Sequence, residues 1–317
     1  MSDQPEEAAP ESAALRRILR RAAAEDDVSL LELLSARLSG ADLTTLLLEV
    51  FRRRALALSP SDVLRRYRSD RFVAPSPISH AALRSAQDAL IGTLPPAAEI
   101  VALAPLTPLA THSSVATVDP RKVVATIRST EVAADPTNAL ALEAASRRST
   151  LLAREPRSTT PVHLAADQRV VRAQHFDAPR FSAHFQLFGF VSAGRDVGGL
   201  RFERENLALH LRFAAAALAA AGFAETTIHV TLLDPAFEPV LEHVTSALAE
   251  VPNVHVAADP TRESGRGYYR GLCFKVHSGA LELGDGGFTD WTARLLGNRK
   301  ERLLVSGYGV DRLAAPR

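Results

Sequence analysis

With 317 residues, 46% of them hydrophobic, the chain can build one large domain or two small ones around a proper core. Its net charge of +1 gives no general drive toward nucleic acid, and its single cysteine, Cys273, excludes an internal disulfide framework and a cysteine-built zinc site. No run of about 18 apolar residues and no signal-peptide pattern is present, since residues 1–10 are acidic and polar, so a cytoplasmic protein without membrane contact is expected.

Residues 1–10 read as a disordered tail. From Glu11 the spacing turns helical, with Leu15, Ile18 and Leu19 on one face and Arg16, Arg17, Arg20 and Arg21 on the other. Asp26 and Asp27 suit the cap of a second helix through Leu30, Leu34 and Leu38 that ends at Gly40. Residues 42–57 repeat the design, with Leu43, Leu46, Leu47, Val50 and Phe51 inward, and Ser59-Pro60-Ser61-Asp62 starts one more. Residues 11–71 therefore form a helical appendage, whose arginine clusters are either solvated faces or a docking surface for a protein partner. The main domain, residues 72–317, opens with an extended segment. The pattern then predicts a helix over 80–93, strands over 100–104 and 123–129, a helix over 139–148 and a loop over 151–160. Beyond these come strands over 162–174 and through Phe190, a helix over 203–221, a strand over 227–232, a helix over 237–250 and a strand over 254–257.

Several stretches carry candidate chemistry. Asp135 and Thr137 precede a helix and fit an N-cap. The predicted strand pair after Val162 surrounds a basic loop containing Arg180. Taken by themselves, Arg172 there reads as surface charge and Phe185 as core. Three strand-plus-glycine segments close the chain. They are Arg266-Gly-Tyr-Tyr-Arg-Gly-Leu-Cys-Phe-Lys-Val276, Leu281-Glu-Leu-Gly-Asp-Gly-Gly-Phe-Thr-Asp290 and Leu304-Val-Ser-Gly-Tyr-Gly-Val-Asp-Arg-Leu313. Gly307 and Gly309 permit a tight turn or close approach to a ligand, and Arg312 falls in the first turn of a helix. Glu282 and Asp285 could hold magnesium or be solvated strand-end acids. No pair of histidines has metal spacing on a helix, and Gly284-Asp-Gly-Gly287 lacks the Lys and Ser/Thr of a Walker loop.

Taken in order, the strand proline, Asp-Pro-Thr, the Arg-x-Gln hairpin, Tyr-Tyr-x-Gly, Gly-Gly and Gly-x-Gly-x-x-Arg resemble the catalytic core of a class II aminoacyl-tRNA synthetase of the histidyl type, over about residues 72–313. The resemblance implies an α/β (α+β) fold with a mixed, mostly antiparallel sheet flanked by helices, and a homodimer formed through the first motif. It implies ATP and Mg2+ as cofactors and an amino acid or other small carboxylate as substrate. Carboxylate attack on the α-phosphate builds negative charge, which fixed guanidinium groups stabilise. On the family pattern, Arg172 meets the α-phosphate, Arg312 the γ-phosphate and Phe185 the adenine, with Gln174, Arg180 and Gly309 completing the nucleotide site. Asp135 and Thr137 fall at the substrate amine, Tyr268, Tyr269, Gly286 and Gly287 at the substrate pocket, and Glu282 is the metal candidate.

Departures gather where histidine would be recognised. Ser264 stands in the place of the arginine that opens the Tyr-Tyr-x-Gly segment, and Gln174 replaces an acid. Leu187, Val191 and Phe288 replace polar residues. A pocket without these groups is not expected to hold an imidazole amino acid. The chain stops a few residues after Arg312, which leaves no place for an anticodon-binding domain, so tRNA is not an expected partner. Three readings stay open: an ATP-dependent ligase forming an acyl-adenylate for an acceptor other than tRNA, a silent paralogue that senses an amino acid as a regulatory subunit, and a purely structural docking module.

Overall fold

The computed structural model describes residues 29–174 and 182–315. Contacts group them into two compact units, residues 29–64 with 127–129, and the remainder. In the first, a helical turn at Leu30–Glu32 runs into a wider π turn at Leu33–Arg37, and α1 follows at Gly40–Leu56. The Ser39 hydroxyl caps α1 by accepting the Asp42 N–H at 3.1 Å. Leucines recur along α1 at helical spacing, yet none of its residues is buried and Leu46, Val50 and Phe51 are exposed. Helix α2 spans Pro60–Ser69. The expectations for residues 1–28 and for the loop with Arg180 lie outside the described residues.

The larger unit continues with α3 (His80–Gly92), β1 (Glu99–Ile100), β2 (Leu106–Pro108), β3 (Thr130–Val132), α4 (Pro136–Arg154), β4 (Val162–Val171), β5 (His184–Arg195) and α5 (Arg201–Ala220). After these come β6 (Thr226–Leu232), α6 (Glu238–Leu248), β7 (Val254–Ala258), β8 (Arg270–Ser278), β9 (Leu281–Thr289), α7 (Trp291–Leu296), β10 (Glu301–Gly309) and α8 (Val310–Ala314). Eight strands form one sheet in the order β1-β4-β5-β10-β9-β8-β6-β7. Neighbours are antiparallel throughout the middle and parallel only at the two edges, β1 with β4 and β6 with β7.

Alternation along β5 sets the layers. Phe188 and Phe190 face one side and pack with Leu207, Leu211 and Phe213 of α5; Val191 and Ala193 face the other and pack with Leu140, Ala141 and Ala144 of α4. Covered on both faces, the strand is nearly continuously apolar. Gly189 lets α4 come close, since a Cβ there would lie 3.1 Å from both Leu140 and Pro136. At the far end of α4, the fully buried Arg148 pairs with Glu301 of β10 at 2.8 Å and donates to the carbonyls of Thr160 and Ser158. With each of the three guanidinium nitrogens donating, this pair fixes the helix against the sheet and so fixes where its N-terminus points.

Three elements differ from the sequence expectation. The strand expected over 100–104 pairs only at Glu99–Ile100, because Pro105 turns the chain into β2. The strand expected over 123–129 is instead a reversal. The Val132 N–H donates to the Val124 carbonyl at 2.8 Å, Ser129 takes a left-handed φ of 54°, and the true strand is β3. Helix α4 runs on to Arg154, through residues expected in a loop, because Leu151 and Leu152 are good helix formers.

Candidate functional site

A cleft of 320 Å³ opens on the α4 side of the sheet. The turn at 112–119 and the N-terminus of α4 form one wall, the end of β4 with Arg172 and Gln174 a second, and Tyr268, Tyr269 and Trp291 a third. Its floor is the sheet itself, through Asp285 of β9 and Val305 and Gly307 of β10.

Asp135 is the helix cap that the sequence offered, and it also meets Arg172. Its Oδ1 accepts the backbone N–H of Thr137 at 2.9 Å and the Thr137 hydroxyl at 2.7 Å, the bonding of a helix cap. Its Oδ2 accepts Arg172 Nη2 at 3.2 Å, while Arg172 Nε donates to the Ala134 carbonyl at 3.0 Å. The Arg172 guanidinium also lies 5.1 Å over the ring of Phe185, so cation, carboxylate and aromatic plane form one group. Behind them sits a neutral histidine. His112 Nε2 accepts the Ala134 N–H at 3.0 Å, which puts the proton on Nδ1, where it is donated to Asn138 Oδ1 at 2.8 Å. Buried Glu131 holds that turn by accepting the backbone N–H groups of Ala110 and His112.

The floor is a second charged group. Arg262 donates from Nε to the Ser264 carbonyl at 2.8 Å, from Nη1 to the Phe274 carbonyl at 2.7 Å and from Nη2 to Asp285 Oδ2 at 3.1 Å. The Tyr269 hydroxyl donates to the same oxygen at 3.3 Å. Burial pushes the Asp285 carboxyl up, against the pull of Arg262. Burial likewise pushes the Tyr268 phenol up to about 12 and that of Tyr269 well above its ordinary value, so both tyrosines are neutral donors. Cys273, buried and also pushed up, is packing and not a nucleophile.

Of the remaining candidates among the described residues, only Gln174 lines the cleft, and its carbonyl accepts Arg71 at 2.9 Å. Arg312, on α8, donates to the Glu282 carbonyl at 2.9 Å and is exposed; its stem lies against Gly309, where a Cβ would come within 3.2 Å. Glu282 accepts Lys275 at 2.7 Å and lies 3.6 Å from Arg312, so its charge is already matched. Among the described residues, no three acidic, histidine or cysteine side chains converge as metal ligands. Gly286 and Gly287 serve close packing: a Cβ would fall 2.4 Å from the Val305 carbonyl at the first and 2.6 Å from the Tyr269 ring at the second.

His112, one of the histidines expected to enter or flank a cleft, does line this one; Arg262, Asn138, Lys122 and Trp291 escaped the sequence reading. Arg262 is six residues before Tyr268, not four. It reaches the floor because residues 259–268 fold as successive turns, with Asp259 accepting from Thr261 and the Gly265 carbonyl accepting from Tyr268 and Tyr269.

An eight-stranded, mostly antiparallel sheet covered by helices on both faces, with a cleft at a helix N-terminus over its central strands, is the class II aminoacyl-tRNA synthetase fold. Solved structures that share it include an ATP phosphoribosyltransferase regulatory subunit/histidyl-tRNA synthetase from Bacillus halodurans, 16% identical, with a TM-score of 0.57 over 76% of this chain and 82% of that one. A histidine–tRNA ligase subunit from Alicyclobacillus acidocaldarius is 13% identical, with a TM-score of 0.54 over 76% of this chain and 94% of that one. A histidyl-tRNA synthetase from Nostoc is 12% identical, with a TM-score of 0.54 over 77% and 73%. At these identities the likeness is one of fold. Comparisons with protein-family models and with curated proteins give no match.

Proposed function

We propose that the cleft binds an amino acid or related small carboxylate and, with ATP, activates it as an acyl-adenylate. The observation that carries this reading is the group at the cleft wall: Arg172, 3.2 Å from Asp135 and 5.1 Å over Phe185, joins a phosphate-binding cation, an amine-binding acid and a flat ring. The residues fit a nucleotide. Arg172 would hold the α-phosphate and Phe185 the base. Leu187, two residues after Phe185, pairs with Gly309, and Asp311 accepts the Gln186 N–H at 2.7 Å, so β5 ties α8 and Arg312 to the same end of the site for the γ-phosphate. ATP would supply the adenylyl group, a carboxylate oxygen bonding to the α-phosphorus as its bond to the bridging oxygen of the β-phosphate breaks and pyrophosphate leaves. This chain's residues orient the carboxylate, and Arg172 offsets charge that develops at the α-phosphate. Glu282, already matched by Lys275 and Arg312, does not fit as a magnesium ligand, and no step is assigned to it.

With a net charge of +1, the chain has no general field to gather a polyanion, which favours a small or protein-borne acceptor over tRNA. The protein acts as a homodimer through the region of β1 and β2. A sensing role without turnover is the second reading, favoured by the Arg172–Asp135 pair, which ties up the phosphate-binding cation.

ATP–pyrophosphate exchange, screened over the twenty amino acids, tests both. Exchange with at least one amino acid is expected, and Arg172→Ala should weaken ATP binding by about 1.5–3 kcal/mol, roughly 10- to 100-fold. Unchanged ATP affinity in that variant would sink the assignment. Amino-acid binding without exchange would favour the sensor.

A further inference from the structure

We infer that the substrate is a basic amino acid, whose side-chain ammonium or guanidinium group is held at the cleft floor by Asp285. The inference rests on the reading of the cleft as an amino-acid site and adds the substrate class. It comes from an asymmetry within the floor ion pair. The Arg262 side chain is 2% exposed and the Asp285 side chain 39%. Arg262 spends its donors on two carbonyls and on Asp285 Oδ2, and presents nothing to the cleft. Tyr269 uses Oδ2 as well, which leaves Oδ1 of Asp285 to meet a ligand. Although the pair is neutral as a whole, a molecule in the cleft meets only its carboxylate.

The surroundings suit a cation. Tyr268 and Tyr269 lie with ring centroids 4.3 Å apart, Tyr268 and Trp291 are stacked at 6.1 Å, and all three line the cleft. Aromatic faces beside a carboxylate attract an ammonium or guanidinium group. At the mouth, Arg172 and Lys122 supply positive charge for the substrate's carboxylate, and Asp135 takes its α-amine. A molecule with two amines and one carboxylate matches acids at both ends of the cleft and cations at its rim. An acidic side chain would face Asp285 as a like charge. A purely aliphatic one would strip water from Oδ1 and give no donor in return, and sites built on buried hydrogen bonds reject such analogues strongly.

The test is calorimetric titration of the full chain, with and without a non-hydrolysable ATP analogue, by lysine, ornithine, arginine, norleucine and glutamate. At least one basic amino acid is expected to bind about tenfold or more tighter than norleucine, a difference of about 1.4 kcal/mol, with glutamate weaker still. Norleucine or glutamate binding as tightly as the basic set would overturn the inference and leave the amino-acid reading standing. No binding by any of the five would overturn both. The double variant Arg262→Gln/Asp285→Asn removes the floor charge without stranding a buried guanidinium. It should reduce the preference for the basic side chain over norleucine to about threefold or less. A preference that survives in a cooperatively folded double variant would overturn the assignment to Asp285. If that variant does not fold, the parent panel still decides.

Discussion

At the scale of single residues, the glycines near the cleft separate space needed by the fold from space needed by a ligand. Gly287 has room for no side chain, since an added Cβ would lie 2.6 Å from the Tyr269 ring and 2.8 Å from Cys273 Cβ. Gly307, which lines the cleft, has nothing within 4 Å of such a Cβ. Gly287→Ala should therefore cost about 1–3 kcal/mol in urea unfolding, whereas Gly307→Ala should stay within about 0.5 kcal/mol. Equal losses would mean that the Tyr269 ring moves freely and does not form a fixed wall. The same scale shows what a sequence can disclose about this site. Asp135 was legible as a cap, because capping depends on residues two or three positions away. Arg172 and Phe185 were legible as a pair because hairpin strands place them side by side. Arg262 was not, because its reach into the floor depends on the path of a ten-residue turn, and no short-range spacing encodes it.

At the scale of elements, the core is crossed by a hydrogen-bonded chain that no motif announced. His163 on β4 bonds Ser192 on β5 at 2.7 Å, Ser192 bonds His210 on α5 at 2.8 Å, and His210 bonds Ser306 on β10 at 2.9 Å. The His210 ring is stacked on Phe190 with centroids 4.0 Å apart. Burial holds both histidines below their ordinary value, His210 far below, so they are neutral in the folded protein. In the unfolded chain each takes up a proton near pH 6.5. Below about pH 6.5 the unfolded state binds more protons than the folded one, so stability falls as pH falls and goes on falling until the folded values are reached. Asp167 and Asp285, raised by burial, act in the opposite direction but only in the carboxylate range. The urea midpoint should thus decline between about pH 7 and pH 5, and His210→Gln should flatten that decline. A midpoint flat over the interval in the parent would show that these histidines bind protons in the native state. Hydrophobic period placed the strands that carry this chain but could not pair them, since register arises between elements. For the same reason, Val123 and Val124 read as a strand when they are one arm of a reversal.

At the scale of the whole molecule, surface chemistry bears on assembly. Strand β1 is the edge of the sheet and only two residues long, as suits an edge that must not pair indiscriminately. In and just after it along the chain, Ile100, Leu106 and Leu109 are 44%, 44% and 55% exposed, apolar side chains of the region expected from the sequence to form the dimer. An isologous contact would let these side chains be covered by those of a second copy, because a two-fold axis brings the same surface from each copy together. A stable interface of that kind buries about 1,200–2,000 Å² in total, so three side chains can be its centre but not its whole. Sedimentation equilibrium should therefore give twice the 34.1 kDa chain mass for the parent and the single-chain mass for Leu106→Glu/Leu109→Glu. The variant's far-UV circular dichroism should be unchanged, because neither side chain belongs to either core cluster. Glutamate at these exposed positions costs a monomer little, while at a self-complementary contact it meets its own copy as an unpaired, desolvated like charge. A parent that sediments at the single-chain mass would remove the dimer from the reading, and the exposed leucines would then be ordinary surface residues beside a deliberately short edge.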